Sequence, residues 1–104
     1  MSDYTTYPDS ETSVLSKPSL KEPPRFAVYL HNDNYTTKEF VVLVLEKVFY
    51  KTESEAIALM EEVLNQGIAK CGSYIKEIAA TKARMVHAMA EQAGFPLLCT
   101  MREE

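Results

Sequence analysis

The sequence predicts an α+β fold, a two-layer sandwich in which a three-stranded antiparallel sheet packs against three helices in the order β-α-α-β-α-β. Three observations predict it. Short apolar segments around residues 26–30, 68–74 and 97–101 have strand character, two Thr-x-x-Glu boxes open helical stripes, and Gly67 and Gly94 stand where such stripes end.

The first strand follows Pro23-Pro24, which blocks regular structure before it, and alternates Phe26, Val28 and Leu30 on one face. His31-Asn32-Asp33-Asn34 is a turn, because Asn and Asp side chains fold back onto nearby backbone. Thr36 and Glu39 read as a capping box, with Tyr35 and Phe40 as its hydrophobic staple, so a helix is expected just after Thr36. Its run Phe40-Val41-Val42-Leu43-Val44-Leu45 has β-forming residues. The cap, the length through Tyr50 and the interruption at Glu46-Lys47 favour a mostly buried helix instead.

A second box, Thr52 with Glu55, opens the next helix, in which Ala56, Leu59, Met60, Val63 and Leu64 keep the helical rhythm up to Gly67. Residues 68–74 form the second strand. A third helix over 76–93 carries Ile78, Ala79, Met85, Val86, Met89 and Ala90 on one stripe; Gly94 ends it and Pro96 prevents its resumption. Residues 97–101 make the third strand, with Arg102-Glu103-Glu104 as an exposed end.

At 104 residues, 46% hydrophobic and 25% charged, the chain has room for one small core. Residues 1–24, rich in Pro, Ser, Thr and charge with few aliphatics, are expected to be a flexible N-terminal extension, leaving 25–104 as the core domain. A formal charge of −4 without a basic cluster argues against nucleic acid. The lack of a long apolar run or a signal-peptide pattern argues against a membrane and for a cytoplasmic protein. Cys71 and Cys99 lie in apolar segments and are expected to be free core thiols. His31 and His87 lack a metal-site spacing, no cofactor is implied, and no nucleophile, base and orienting group can be assembled into a catalytic site. The polar turn at 32–34 thus has two readings: a turn and helix cap alone, or a small recognition site beside a helix N-terminus.

The ordered set Val28-Tyr29-Leu30-His31-Asn32-Asp33-Asn34-Tyr35-Thr36, Glu39-Phe40-Val41, Leu59-Met60, Gln66-Gly67, Cys71-Gly72, Glu77, Thr81-Lys82 and Pro96-Leu97-Leu98-Cys99-Thr100 resembles the ClpS family, adaptors of ClpA-type AAA+ proteases. The resemblance covers about residues 24–102. It implies a non-enzymatic adaptor that binds N-degrons, proteins or peptides with N-terminal Leu, Phe, Tyr or Trp, and delivers them to the N-terminal domain of a ClpA-type unfoldase. In the family's pattern Asn32 and Asp33 hold the protonated α-amine of the substrate. Val41, Met60, Val63 and Leu97 match the walls of its hydrophobic pocket, where Leu64 takes a further position, and Asn34, Thr36 and Lys38 occupy the rim and cap. Glu77 and Lys82 match the unfoldase-contact residues.

Three positions depart from that pattern. Asn34 stands where the family has Asp, Thr37-Lys38 where it commonly has Pro-Met, and Leu64 where its pocket has a His that hydrogen-bonds the amine. Leucine can accept no hydrogen bond. Two alternatives follow from these departures and from topology: a ClpS-like unfoldase modulator without N-degron binding, and a ribosomal-stalk-like factor-binding domain.

Overall fold

The computed structural model describes residues 22–104. The expected extension therefore lies, apart from 22–24, outside the described residues. Strand β1 (Arg25–His31) is followed by α1 (Lys38–Lys47), α2 (Glu53–Gln66), β2 (Ile68–Ile75), α3 (Lys76–Ala93) and β3 (Leu98–Glu103), the predicted order. β1 is the central strand, antiparallel to β2 on one side and to β3 on the other. Leu30 stands opposite Ala69 and Cys99, and Val28 opposite Gly72 and Met101. A register shift between Val28 and Tyr29 leaves Cys71 as the extra residue of a bulge in β2.

The helices cover the sheet face that carries Val28 and Leu30. Those two side chains, with Val44, Leu45, Val48 and Val86, are completely buried. Burial explains why β-branched residues are helical in α1. Phe40, Val41, Val44 and Leu45 share the inward face, whereas an extended run would send every second one to water. α3 is less buried than its stripe suggested, since Ala79, Val86 and Ala90 are inside while Ile78 and Met85 are exposed.

The helix ends decide most boundaries. At α2 the Thr52–Glu55 capping box forms as expected, with Glu55 N donating to Thr52 Oγ1 at 3.2 Å and Thr52 N donating to Glu55 Oε1 at 2.9 Å. Gly67 and Gly94 close α2 and α3 at φ 84° and 81°, left-handed values that glycine adopts without steric cost. α1 differs at both ends. It begins one residue later than predicted, capped by Thr37, whose Oγ1 accepts from Phe40 N at 3.2 Å, and Tyr35 is exposed rather than stapled. It ends at Lys47, short of Tyr50, which takes φ 56° to turn the chain toward α2.

The C-terminal Arg102, Glu103 and Glu104 are exposed as expected, and they are tied to the sheet. β3 continues through Glu103, and Glu104 is bound by Lys70 and Ser73 of β2 while its N–H donates to Arg25 O at 2.9 Å. These contacts lie on the sheet face away from the helices, where Arg102 also stacks 5.2 Å from the Tyr29 ring centroid.

Cys71 and Cys99 are buried and unpaired. Their strands flank β1, so two strand spacings, roughly 10 Å, separate the backbones, beyond the ~7 Å that a disulfide spans. Burial pushes both thiols up to about 12, so neither is ionised at neutral pH. A thiol-specific reagent should therefore leave both cysteines unmodified in the native protein and modify both after denaturation. Native-state modification of either at the denatured rate would contradict this packing.

Candidate functional site

The site is assembled where β1 runs out into the polar turn. Asp33 organises that turn. Its Oδ1 accepts hydrogen bonds from Tyr35 N at 2.8 Å and Thr36 N at 2.7 Å, and its Oδ2 accepts one from Thr36 Oγ1 at 2.7 Å. This also corrects the expected role of Thr36. Its hydroxyl is committed backwards to Asp33, so the cap passes to Thr37.

Partial burial alone would raise the Asp33 pKa, but the bonds from Thr36 and Tyr35 outweigh it and hold the carboxyl below its ordinary value of 3.8. Asp33 is therefore a carboxylate at neutral pH. With three of its roughly four acceptor positions used, Oδ2 retains capacity for one more donor.

Asn32 is placed by a different contact. Its N–H donates at 2.9 Å to the carbonyl of Gly67, the residue that ends α2. This bond joins the turn to the C-terminal end of the helix that carries Met60, Val63 and Leu64. The Asn32 side chain is exposed and makes no hydrogen bond among the described residues.

A small cavity opens beside these groups. Asn32, Asp33, Thr36 and Lys38 form its polar side, and Val41, Met60, Val63, Leu64 and Leu97 its apolar side. Val41, Val63 and Leu97 are buried and fixed, Met60 is half-buried, and Leu64 is 38% exposed. Free space amounts to about 10 Å³, roughly one water molecule. Of the candidate residues on this side, only Asn34 lies off the wall. It is exposed on the turn.

The cavity also borders His31, which the sequence did not assign to the site. Because Leu30 faces the core, strand alternation turns the His31 side chain to the opposite sheet face. There its Nε2 lies 2.7 Å from Thr100 Oγ1, on the strand that pairs with β1. His87 has a separate structural part: its Nε2 accepts from Cys99 N at 3.0 Å, covering a backbone donor of β3. Among the described residues no three His, Cys, Asp or Glu side chains cluster as metal ligands, and no helix is long and apolar enough to cross a membrane.

Glu77 and Lys82 stand apart from the cavity and from each other. Glu77 lies in the exposed first turn of α3, beside a groove also lined by Lys76, Thr81 and Arg84. Lys82, matched to an unfoldase-contact residue, is half-buried: its Nζ donates to Val48 O at 2.6 Å and sits 4.4 Å from the Tyr50 ring centroid. It thereby satisfies a carbonyl at the end of α1 and stabilises the turn that Tyr50 makes.

In form this is a small notch, with a carboxylate and an amide at one end and an apolar floor. The family model for ATP-dependent Clp protease adaptor protein ClpS matches residues 21–100. The ATP-dependent Clp protease adapter protein ClpS of Oleidesulfovibrio alaskensis is 48% identical over 103 residues, covering 99% of each chain. That of Desulfatibacillum aliphaticivorans is 52% identical over 93 residues, covering 88% of this chain and 89% of its own. The solved structure of Agrobacterium tumefaciens ClpS2 bound to L-phenylalaninamide superposes with a TM-score of 0.77 at 36% identity, covering 80% of this chain and 100% of its own. The chain belongs to the ClpS family of Clp protease adaptors.

The charge of Asp33 gives the turn a pH dependence. A depressed carboxylate pKa adds stability that is full above the ordinary value of 3.8 and is lost as pH falls through the folded value. Asp33→Asn keeps the shape of the turn and removes the charge. In denaturant titrations the wild-type advantage over this variant should be largest near neutral pH and shrink below 3.8; a difference independent of pH would contradict the assignment.

Proposed function

We propose that this chain is a non-catalytic adaptor that binds the N-terminal residue of a degradation substrate in the cavity below the turn and delivers it to a ClpA-type AAA+ unfoldase. One observation carries the reading: Asn32 and Asp33 flank the same small cavity as Val41, Met60, Val63 and Leu97, although they come from separate parts of the chain. A free α-amine, mostly protonated at neutral pH with a pKa of roughly 7.7–8.0, needs an anion and an acceptor. The spare position on Asp33 Oδ2 supplies the first and the Asn32 carbonyl the second.

The substrate side chain then enters the apolar part. Burying a Leu or Phe side chain there contributes roughly 1.5–3 kcal/mol, whereas Asp or Lys would lose hydration without a partner. This accounts for a preference for N-terminal Leu, Phe, Tyr or Trp. L-phenylalaninamide, the ligand of the Agrobacterium tumefaciens ClpS2 structure, carries both features, a free α-amine and an aromatic side chain. Entry requires the half-buried Met60 and the exposed Leu64 to swing aside, since the closed cavity has room for only about one water. Glu77 and the exposed start of α3 present the face for the unfoldase, away from the cavity, so that one chain can hold substrate and unfoldase together.

The same Leu64 favours a second reading, an unfoldase modulator that holds no N-degron, because Leu64 leaves the amine with one acceptor fewer and helps to close the cavity.

Calorimetry with peptides beginning Leu, Phe or Asp, each free and N-acetylated, separates the two. Free Leu and Phe peptides should bind at least about tenfold more tightly than their acetylated forms, the loss of one charge-assisted hydrogen bond. Leu64→His should tighten free-amine binding further. Equal binding of free and acetylated peptides would refute amine recognition, and association with the unfoldase domain without any peptide binding would establish the modulator.

A further inference from the structure

Lys38 belongs to two cavities at once. It closes the polar side of the inner cavity and forms, with Met60, the wall shared with an outer groove of about 360 Å³ whose other sides are Val42, Ile57 and Glu39. The groove therefore lies on the far side of the Lys38–Met60 wall from the inner cavity. The outer groove is the path along which a peptide whose first side chain fills the inner cavity can continue, and on that path its second residue passes Lys38.

Lys38 carries a charge that no contact among the described residues uses. Among the described residues it makes no ion pair. As the first residue of α1 it places a cation at the positive end of the helix dipole, where a cation is unfavourable. Among the described residues Asp33 is the only carboxylate on the inner cavity, and a bound α-amine satisfies it, which leaves the Lys38 ammonium without a carboxylate partner on that cavity. Glu39 borders only the outer groove, one step farther from the amine end.

We infer that Lys38 is a specificity-determining residue that favours an acidic side chain at the second position of the bound peptide. The inference rests on the amine-binding reading above. The acidic side chain lays its methylene carbons against Met60 and brings its carboxylate to the Lys38 ammonium at the rim. Because both charges remain solvated, the gain is modest and falls with salt.

The test is a calorimetric comparison of free-amine peptides beginning Leu-Glu, Leu-Ala and Leu-Lys, with N-acetylated controls, against the full chain, Lys38→Gln and Glu39→Gln. Leu-Glu should bind the wild type roughly fivefold more tightly than Leu-Lys at low salt, the scale of a solvent-exposed ion pair. This ratio should fall toward one in Lys38→Gln and at high salt, and persist in Glu39→Gln. A ratio of one in the wild type, or a preference that survives Lys38→Gln, would overturn the role of Lys38 while leaving amine recognition in place. Equal binding of free and acetylated peptides would overturn both.

Discussion

The Asp33 carboxylate is the interaction on which the rest of the site depends. By accepting from Tyr35 N, Thr36 N and Thr36 Oγ1 it folds the chain back after β1 and fixes where α1 can start. That start sets the helical positions of Lys38 and Val41. The hydrogen bond from Asn32 N to Gly67 O then ties the turn to the end of α2 and so to Met60, Val63 and Leu64. A polar loop and two helices are thus held at one point by a few short bonds, and the same carboxylate keeps its negative charge because those bonds depress its pKa.

In the proposed function this arrangement separates holding a shape from holding a ligand. Three bonds to Asp33 maintain the turn, and one acceptor position and the Asn32 side chain are left over. The apolar floor shows a similar division. Val41, Val63 and Leu97 are buried parts of the core, while Met60 and Leu64 are exposed enough to move. A pocket with a rigid floor and a flexible wall can stay nearly closed when empty, which avoids a standing cavity beneath the surface. Lys82 illustrates the opposite case. Its resemblance to a contact residue says nothing of its packing, and its ammonium is already engaged by Val48 O and the Tyr50 ring.

Much of the fold was legible because its signals are local. The Thr52–Glu55 box, Gly67 and Gly94 each specify a helix end through their own backbone chemistry, and each does so where expected. The misplaced start of α1 has an equally local cause. Two threonines in a row both suit a cap, and Asp33, three residues before Thr36, takes the hydroxyl of the first. The contacts of Glu104 with Lys70 and Ser73 could not be read, because they join strands whose register no short segment specifies. For the site, residue types suggested a turn and a core. Only resemblance to a family suggested that Asn32, Val41, Met60 and Leu97 share one cavity. The position of His31 against Thr100 had no signal beyond strand alternation.

The central claim is that the charge of Asp33, and not merely the turn it shapes, recognises a free α-amine. A double-mutant cycle measures this most directly, combining Asp33→Asn in the protein with N-acetylation of a Leu-terminated peptide. The account predicts that Asp33→Asn weakens binding of the free peptide and leaves the acetylated peptide almost unchanged, with a coupling of about 1.5 kcal/mol or more. Equal losses for both peptides, and hence no coupling, would contradict it.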